Sequence, residues 1–345
     1  AIDQMHMSPC DTLPNTPYCI PAGTRGNMND WCPKNSSDKY GGMLSLTNAL
    51  ANSINTVTAR LIDRVGPEPV ITLVEKMGID TKNMLPVPSL ALGTPDVSLY
   101  EMVGAYSTFA NQGVYIKPQF ITRIEDKNGK VIYSAVPEQK RAINPAYNYV
   151  IVDMLKYVAS IIQSQFRNEI AGKTGTTNDA KDVWFVGFTR NIVAGCYIGF
   201  DTPQPLRKGA SGGGMCGPVF KEFMVEAIKK YGSGSFSQPP NTYFAKFDRN
   251  TGVLLPDGGT GGNPNNIPGS NVTSELFRIG DDPVLDGLIT VIDGGFSVVA
   301  DEEIFTEFSD DLGMTTGDNW IRHYINSKKQ PSKINFGSLS SGGLY

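Results

Sequence analysis

Apolar residues recur at helical spacing in two short runs near the start of the chain, Leu46, Ala49 and Leu50, then Val57, Leu61 and Val65. They flank Asn52-Ser53-Ile54-Asn55, so the pattern predicts two helical pieces around a polar break. A second helix is announced by Ser98-Leu99-Tyr100-Glu101, the order of a capping box. Its apolar face comprises Leu99, Met102, Val103, Tyr106, Phe109 and Ala110 and stops at Gly113. Phe120 to Glu125 and Lys130 to Ala135 read as strands joined through Asn128-Gly129, the pair favoured by a type I′ hairpin turn. A helix is predicted from about Pro145 to Ile162. Three strands follow, Glu169 to Thr176, Val183 to Thr189 and Ile192 to Phe200, the last two made antiparallel neighbours by the short turn at Arg190-Asn191.

Pro218 to Tyr231, closed by Gly232, reads as an amphipathic helix with Val219, Phe223, Ala227 and Ile228 toward the core and Lys229 and Lys230 at its C-terminal end. The elements together give an α+β class, with helices packed on an antiparallel sheet. The first forty residues, rich in Pro, Asn, Gly, Ser and Asp, read as an ordered loop. Beyond Gly232 the composition shifts to a linker over Gly234 to Pro240, a Gly/Pro/Asn loop over Gly258 to Gly269, an acidic stretch with scattered short strands over Asp281 to Asp311, and a Ser/Gly tail. The expected division is therefore residues 1–232 as one domain and 233–345 as a partly loop-rich extension.

The chain has 345 residues, enough to bury a large core. Its 30 Lys and Arg against 34 Asp and Glu leave a net charge of -4, which supplies no basic field for a phosphate backbone, so nucleic acid is not an expected partner. The longest apolar stretches, such as Asn191 to Phe200, fall well short of the roughly 18 residues that a spanning helix needs. The chain opens with Ala1 and lacks a cationic start followed by an apolar run, so any signal peptide or anchor is expected to precede it. Only His6 and His323 occur, which leaves zinc sites and Ser-His-Asp triads poorly supplied; neither a metal nor a cofactor is expected. Cys10, Cys19 and Cys32 cluster early, and Cys196 and Cys216 lie later. Pairing among the first three is open, but isolated thiols are the favoured reading.

Two motifs carry candidate chemistry. In Ala171-Gly172-Lys173-Thr174-Gly175-Thr176-Thr177, a lysine on an edge strand gives a fixed cation, and threonine hydroxyls give donors to a substrate carboxylate. The glycine lets a substrate backbone approach and pair with the strand. Ser53-Ile54-Asn55 lies in the helical break. A Ser-x-Asn triplet arises by chance about once in a chain of this length, and helix capping is its default role. Its value comes from company: Ser-x-x-Lys, Ser-x-Asn and Lys-Thr-Gly are the three elements of serine β-lactamases and penicillin-binding proteins. Two of the three occur here in that order.

The chain resembles the transpeptidase domain of bifunctional class A penicillin-binding proteins. The likeness rests on Trp31-Cys32-Pro33-Lys34-Asn35, Tyr40-Gly41-Gly42, Leu46 through Leu61, Pro88 through Gly93, Ala105 through Gly113, and Ala171 through Gly187, covering roughly residues 1 to 230. The resemblance implies a penicillin-binding/serine β-lactamase-like fold, a five-stranded antiparallel sheet between helical layers. It also implies a D,D-transpeptidase that cross-links peptidoglycan stem peptides ending in D-Ala-D-Ala through a serine acyl-enzyme. β-Lactams would bind the same site, other cell-wall synthesis proteins could be partners, and the location would be the extracytoplasmic side of the bacterial inner membrane. A D,D-carboxypeptidase or β-lactamase would use the same motifs with water as acceptor, and a noncatalytic scaffold could keep the fold.

Residue by residue, the resemblance makes Ser53 a proton shuttle and has Asn55 hold the substrate amide and orient the lysine base. Lys173 becomes the electrostatic anchor of that proton path, and Thr174, Gly175 and Thr176 bind the terminal carboxylate and help form the oxyanion hole. The family's nucleophile is the serine of Ser-x-x-Lys. That spacing occurs here as Ser36-Ser37-Asp38-Lys39, in turn composition with no helical period after it, so it reads as a decoy. The expected nucleophile and its lysine thus lie before Ala1. The stretch from Lys156 to Arg167 contains no glycine where the family carries a longer glycine-bearing loop, so this wall of the cleft is expected to be shortened or incomplete.

Overall fold

The computed structural model describes residues 1–162, 170–248, 272–278, 289–292 and 295–298. The strand start at Glu169, the end of the glycine-free stretch before Arg167, the Gly258 to Gly269 loop, most of the acidic stretch and the Ser/Gly tail lie outside the described residues. Two compact units are present: Ala1–Met5 with Asp11–Pro239, and His6–Cys10 with Pro240–Tyr345.

In the first unit Thr12–Pro14 (β1) pairs antiparallel with Met43–Ser45 (β2). Between them the chain is a loop, as its composition predicts, but a stapled one. Ile20 and Trp31 form an isolated antiparallel bridge with both backbone hydrogen bonds made, which sets Cys19 opposite Cys32 at the adjacent, closer-spaced pair, and these two form a disulfide. The expectation of isolated thiols is corrected here. The register of an irregular loop has no period that a sequence pattern could reveal.

Helices Leu46–Ala51 (α1), Asn55–Val65 (α2), Pro67–Lys76 (α3) and Leu99–Ala110 (α4) follow. The third of these was not foreseen; it starts at Pro67 directly after Gly66, whose φ of 83° turns the chain. At the start of α4 the capping box is complete, with the Ser98 hydroxyl accepting from Glu101 N–H and the Glu101 carboxylate accepting from Ser98 N–H. Next come Val114–Ile116 (β3), Arg123–Glu125 (β4), Val131–Ser134 (β5) and Gln139–Arg141 (β6), paired β3–β6 and β4–β5. The turn between β4 and β5 is not the expected type I′. Gly129 alone has positive φ, its N–H bonds to Asp126 O at 3.0 Å, and the register slips beside Glu125, the pattern of a bulged hairpin. The Asp126 carboxylate decides this by accepting from both Asn128 and Lys130 N–H.

Pro145–Ile162 (α5) is followed by the strands Ala171–Thr176 (β7), Val183–Phe188 (β8) and Val193–Ile198 (β9), then by the helix Gly217–Tyr231 (α6). The sheet is antiparallel in the order β7-β8-β9, so the class is α+β as expected. Three strands, not the five that the resemblance implies, stand in this sheet among the described residues. β8 is buried on both faces. Val183 and Phe185 pack with Phe220 and Met224 of α6, and Phe188 packs with Ala110 of α4 and Val152, Leu155 and Val158 of α5. Two glycines set the helix-to-sheet distance: a Cβ on Gly187 would meet Phe220 Cζ at 2.7 Å, and one on Gly195 would meet Val103 Cγ2 at 2.7 Å.

α6 turns inward only part of the face its pattern suggested: Ala227 is buried and Ile228 packs against the core as expected, but Phe220 and Met224 are the other buried residues, whereas Val219 and Phe223 are 52% and 55% exposed. Phe220 packs against Phe185 with the rings tilted by 48° and their centroids 4.6 Å apart, and the helical period counted from that contact selects Met224 and Ala227. In the second unit Thr242–Asp248 (β10) pairs antiparallel with Val272–Arg278 (β11), and Ile289–Ile292 (β12) with Gly295–Val298 (β13).

The break after α1 has defined geometry. Ile54 N–H bonds to Ala49 O at 2.9 Å and Ser53 N–H to Leu50 O at 3.2 Å, the two bonds of a Schellman ending, with Ser53 at the left-handed position, φ 51°. Glycine normally stands there, because an L side chain strains this conformation. Replacing Ser53 by Gly or by Ala removes the same hydroxyl, but only Ala keeps the strain. Ser53→Gly is expected to be the more stable of the two variants by roughly 0.5–1 kcal/mol in denaturant unfolding. Equal stabilities would contradict the left-handed assignment.

Candidate active site

The two sequence motifs meet. Lys173, on the edge strand β7, donates from Nζ to Ser53 Oγ in a short hydrogen bond across 120 residues of sequence, and also to Thr174 O at 3.2 Å. The first partner comes from the left-handed turn between α1 and α2, and the second from the strand itself. Antiparallel register places Lys173 opposite Val186 and Gly175 opposite Trp184. Because strand side chains alternate, Lys173 and Gly175 share one face, while Thr174 and Thr176 belong to the other, opposite Phe185 and Val183. β7 has a partner on one side only among the described residues, which leaves its second edge for an extended peptide.

Burial pushes the Lys173 ammonium down from 10.5 to about 8. At neutral pH it is mainly the cation, close enough to its midpoint to give up and regain a proton at small cost. As Lys173 donates to the Ser53 oxygen, the Ser53 hydroxyl proton is left to donate elsewhere. The serine is exposed, so that proton is within reach of solvent or a ligand.

Asn55 is the first residue of α2. Its Nδ2 donates to Lys34 O at 2.7 Å. Of the Ser-x-Asn pair, then, the serine meets Lys173 and the asparagine instead ties the start of α2 to the Trp31 to Asn35 loop. That loop is held by a group that sequence reasoning missed. Asn35 Nδ2 donates to Asn15 Oδ1 at 2.7 Å and to Lys39 O at 2.9 Å, Thr56 N–H donates to Asn35 Oδ1 at 3.2 Å, and Thr56 Oγ1 donates to Asn15 Oδ1 at 2.9 Å. All three side chains are buried. Buried polar groups this well satisfied fix one loop conformation. A signal existed in Asn55-Thr56, two polar residues opening an amphipathic helix, but their distant partners carry no pattern. Ser36 and Lys39 lie on the exposed turn beyond, with Asp38 at φ 52°.

Thr176, at the end of β7, accepts from Gly212 N–H at 3.1 Å through Oγ1, which leaves its hydroxyl proton available to a ligand. Gly212 opens a five-residue π turn, Gly212–Cys216, before α6, and a Cβ there would lie 2.1 Å from Trp184 O and 2.6 Å from Gly175 O. Only glycine permits this approach to the Lys-Thr-Gly strand, and the sequence reading had assigned Gly212 no role. The connection from β7 to β8 is closed by Thr177, whose Oγ1 accepts from Asp182 N–H at 2.8 Å, while Tyr197 donates to Asp182 Oδ1 at 2.9 Å. Among the described residues there is no group of three side chains able to hold a metal, and no helix is long and apolar enough to cross a membrane.

Comparison with known proteins agrees with this geometry. Residues 1–225 match the model of the penicillin-binding protein transpeptidase domain. Penicillin-binding protein 1A of Aquifex aeolicus is 40% identical over 217 residues, covering 61% of this chain and 29% of that protein. The Rickettsia prowazekii protein of the same name is 33% identical over 258 residues, covering 67% of this chain and 33% of its own length. The chain thus spans about a third of the curated relatives it matches. The crystal structure of penicillin-binding protein 1A from Haemophilus influenzae superposes with a TM-score of 0.70 at 25% identity, over 81% of this chain and 46% of that one. PonA1 from Mycobacterium tuberculosis in complex with penicillin V shares the fold with a TM-score of 0.61 at 22% identity, over 69% of this chain and 68% of that one. With a family model spanning well over half of its residues, this chain belongs to the penicillin-binding protein transpeptidase family.

Proposed function

We propose that the chain is the larger part of a peptidoglycan D,D-transpeptidase site, of the kind that also binds β-lactams, working on the extracytoplasmic side of a bacterial envelope. The observation that carries this reading is the Lys173 to Ser53 hydrogen bond. It joins two motifs from distant sequence into one proton-handling pair beside an open strand edge.

In the proposed reaction a serine of a Ser-x-x-Lys pair, supplied by sequence preceding Ala1, attacks the penultimate D-alanine carbonyl of a stem peptide and passes its hydroxyl proton to the lysine of that pair, which returns it when the acyl group later leaves the serine. Ser53 gives its hydroxyl proton to the departing D-alanine nitrogen as the C–N bond breaks, and Lys173 replaces that proton from its ammonium. The return step reverses the flow: an amine of a neighbouring stem attacks the acyl-serine, and its proton passes back through Ser53. Lys173 favours both directions because burial brings its proton affinity near neutrality. The substrate backbone would pair with the free edge of β7, with its terminal carboxylate accepting from the Thr174 and Thr176 hydroxyls. Thr176 suits this role, since its oxygen is already satisfied by Gly212 N–H. Backbone N–H groups near Thr176 would stabilise the oxyanion. Asn55 would hold the donor amide after exchanging its contact with Lys34 O.

The domain division follows from the same reading, with residues 1–232 as the transpeptidase portion and 233–345 as an extension. Stem peptides on nascent glycan strands are the proposed substrates.

Two tests follow. Intact-mass analysis after incubation with benzylpenicillin is expected to show a covalent adduct on a version extended upstream to include the Ser-x-x-Lys segment, and none on Ala1 to Tyr345. An adduct on the shorter chain would make Ser36 or Ser53 the nucleophile, and none on either would favour a noncatalytic scaffold. In the extended protein, Lys173→Ala and Ser53→Ala are each expected to slow acylation by roughly 10²–10⁴-fold, as loss of a positioned proton donor does. The double variant is expected to be little worse than the worse single one, because the pair acts as a unit.

A further inference from the structure

Cys196 and Cys216 lie outside the Ser53 and Lys173 pair, and their sulfurs are 2.7 Å apart. Cys196 sits on β9 opposite Phe185, half-buried, on the face covered by α6. Cys216 is fully buried at the end of the π turn and caps the start of α6. Its thiol bonds to Val183 O at 3.4 Å, and Cys196 donates to its sulfur. Both are free thiols in this structure, whereas Cys19 and Cys32 are joined. A chain that carries one disulfide folds where disulfides persist. A second pair of thiols in contact is therefore exposed to the same oxidants.

We infer that Cys196 and Cys216 are a second, oxidant-dependent disulfide site, which clamps the Gly212–Cys216 turn to the central sheet. The oxidant is a disulfide, either a small molecule such as oxidised glutathione or a protein dithiol oxidant. The Cys196 thiolate attacks one sulfur of that disulfide, forming a mixed disulfide and releasing the first thiolate, which takes up the proton that Cys196 lost. Cys216 then loses its proton, its sulfur attacks the Cys196 sulfur beside it, and the second thiolate leaves with that proton. Two cysteine thiols are oxidised by two electrons, and the reagent disulfide is reduced to two thiols.

The order of attack follows from the surroundings. Burial, with the contact to Cys196, raises the Cys216 thiol to about 12, so it resists ionisation and serves as the resolving group, while Cys196 is the one that solvent reaches. The consequence reaches the Lys-Thr-Gly strand. The turn that ends at Cys216 begins at Gly212, whose N–H holds the Thr176 hydroxyl, so a crosslink at one end of five residues restrains the other.

The test uses the whole chain equilibrated over a range of reduced to oxidised glutathione, quenched with N-ethylmaleimide and digested for peptide mass spectrometry. Its readout is mass and stability, so its failure is distinct from a failure of the acylation reading. A peptide pair linked through Cys196 and Cys216 is expected to form as the oxidised fraction rises. Closing this loop is expected to raise Tm by roughly 5–10 °C, and amide exchange at Gly212 to slow. Cys196→Ser is expected to remove the part of the Tm rise that accompanies the Cys196–Cys216 peptide pair, and Cys216→Ala to do the same, each leaving only the part that follows the Cys19–Cys32 disulfide. Alkylation of both cysteines across the whole range, a glutathione adduct that persists on Cys196, or a Tm rise in Cys196→Ser as large as in the unchanged chain would overturn the site. Unchanged exchange at Gly212 in the linked form would overturn its coupling to Thr176.

Discussion

The burial of β8 on both faces is the constraint on which the rest depends. One row of its side chains packs on α6 and the other on α4 and α5, so a one-residue slip would exchange the two rows and unmatch both helical layers. With β8 fixed, the ladder dictates that Lys173 stands opposite Val186 and Gly175 opposite Trp184, and β7 is left as an edge. Lys173 is therefore positioned by hydrophobic packing it takes no part in. The close approaches at Gly187 and Gly195 tighten the same arrangement by letting Phe220 and Val103 sit against the sheet where a methyl group would intrude.

The Ser53 side of the contact with Lys173 is held by different forces. Ser53 accepts a strained left-handed backbone where glycine would cost less, and what it gains is a hydroxyl at the apex of a turn that faces Lys173. Strain of this kind persists only where the surroundings over-determine it. The Schellman bonds to Ala49 and Leu50 hold it from α1, and the buried Asn15, Asn35 and Thr56 cluster holds α2 from the other side. Loop 31–42, which looks irregular, is thus a buttress. The disulfide from Cys19 to Cys32 staples the same segment.

Local signals were legible and distant ones were not. The capping box at Ser98, the break at Asn52 to Asn55, the limits of α5 and the succession β7, β8, β9, α6 all follow from periodicity and punctuation over a few residues. Ser53 and Lys173 were legible as motif members, and their contact was implied by family resemblance rather than by spacing. What failed did so for identifiable reasons. The inward face of α6 was right at Ala227 and Ile228 and wrong in its first turns, which are apolar at Val219, Phe220 and Phe223 together, and only the contact of Phe220 with Phe185 breaks the tie. The hairpin turn at Asn128 was misjudged because the Asp126 carboxylate outcompeted the Asn-Gly preference. Asn15, Asn35 and Gly212 went unseen because each acts through a partner twenty or more residues away, where no local pattern exists to read.

The central claim is that packing holds Lys173 partly out of water against Ser53, with its proton affinity brought near neutrality. The most direct measurement is a nuclear magnetic resonance titration of the Lys173 side chain in the folded protein, assigned by its loss in Lys173→Arg. A midpoint near 8 is predicted, against 10.5 for an unperturbed lysine. The sign has a consequence for stability: between these two values the unfolded chain binds more protons than the folded one, so folding is strengthened as pH rises through that window. A midpoint at the ordinary 10.5 in the folded chain would place Lys173 in water, away from Ser53, and contradict the account.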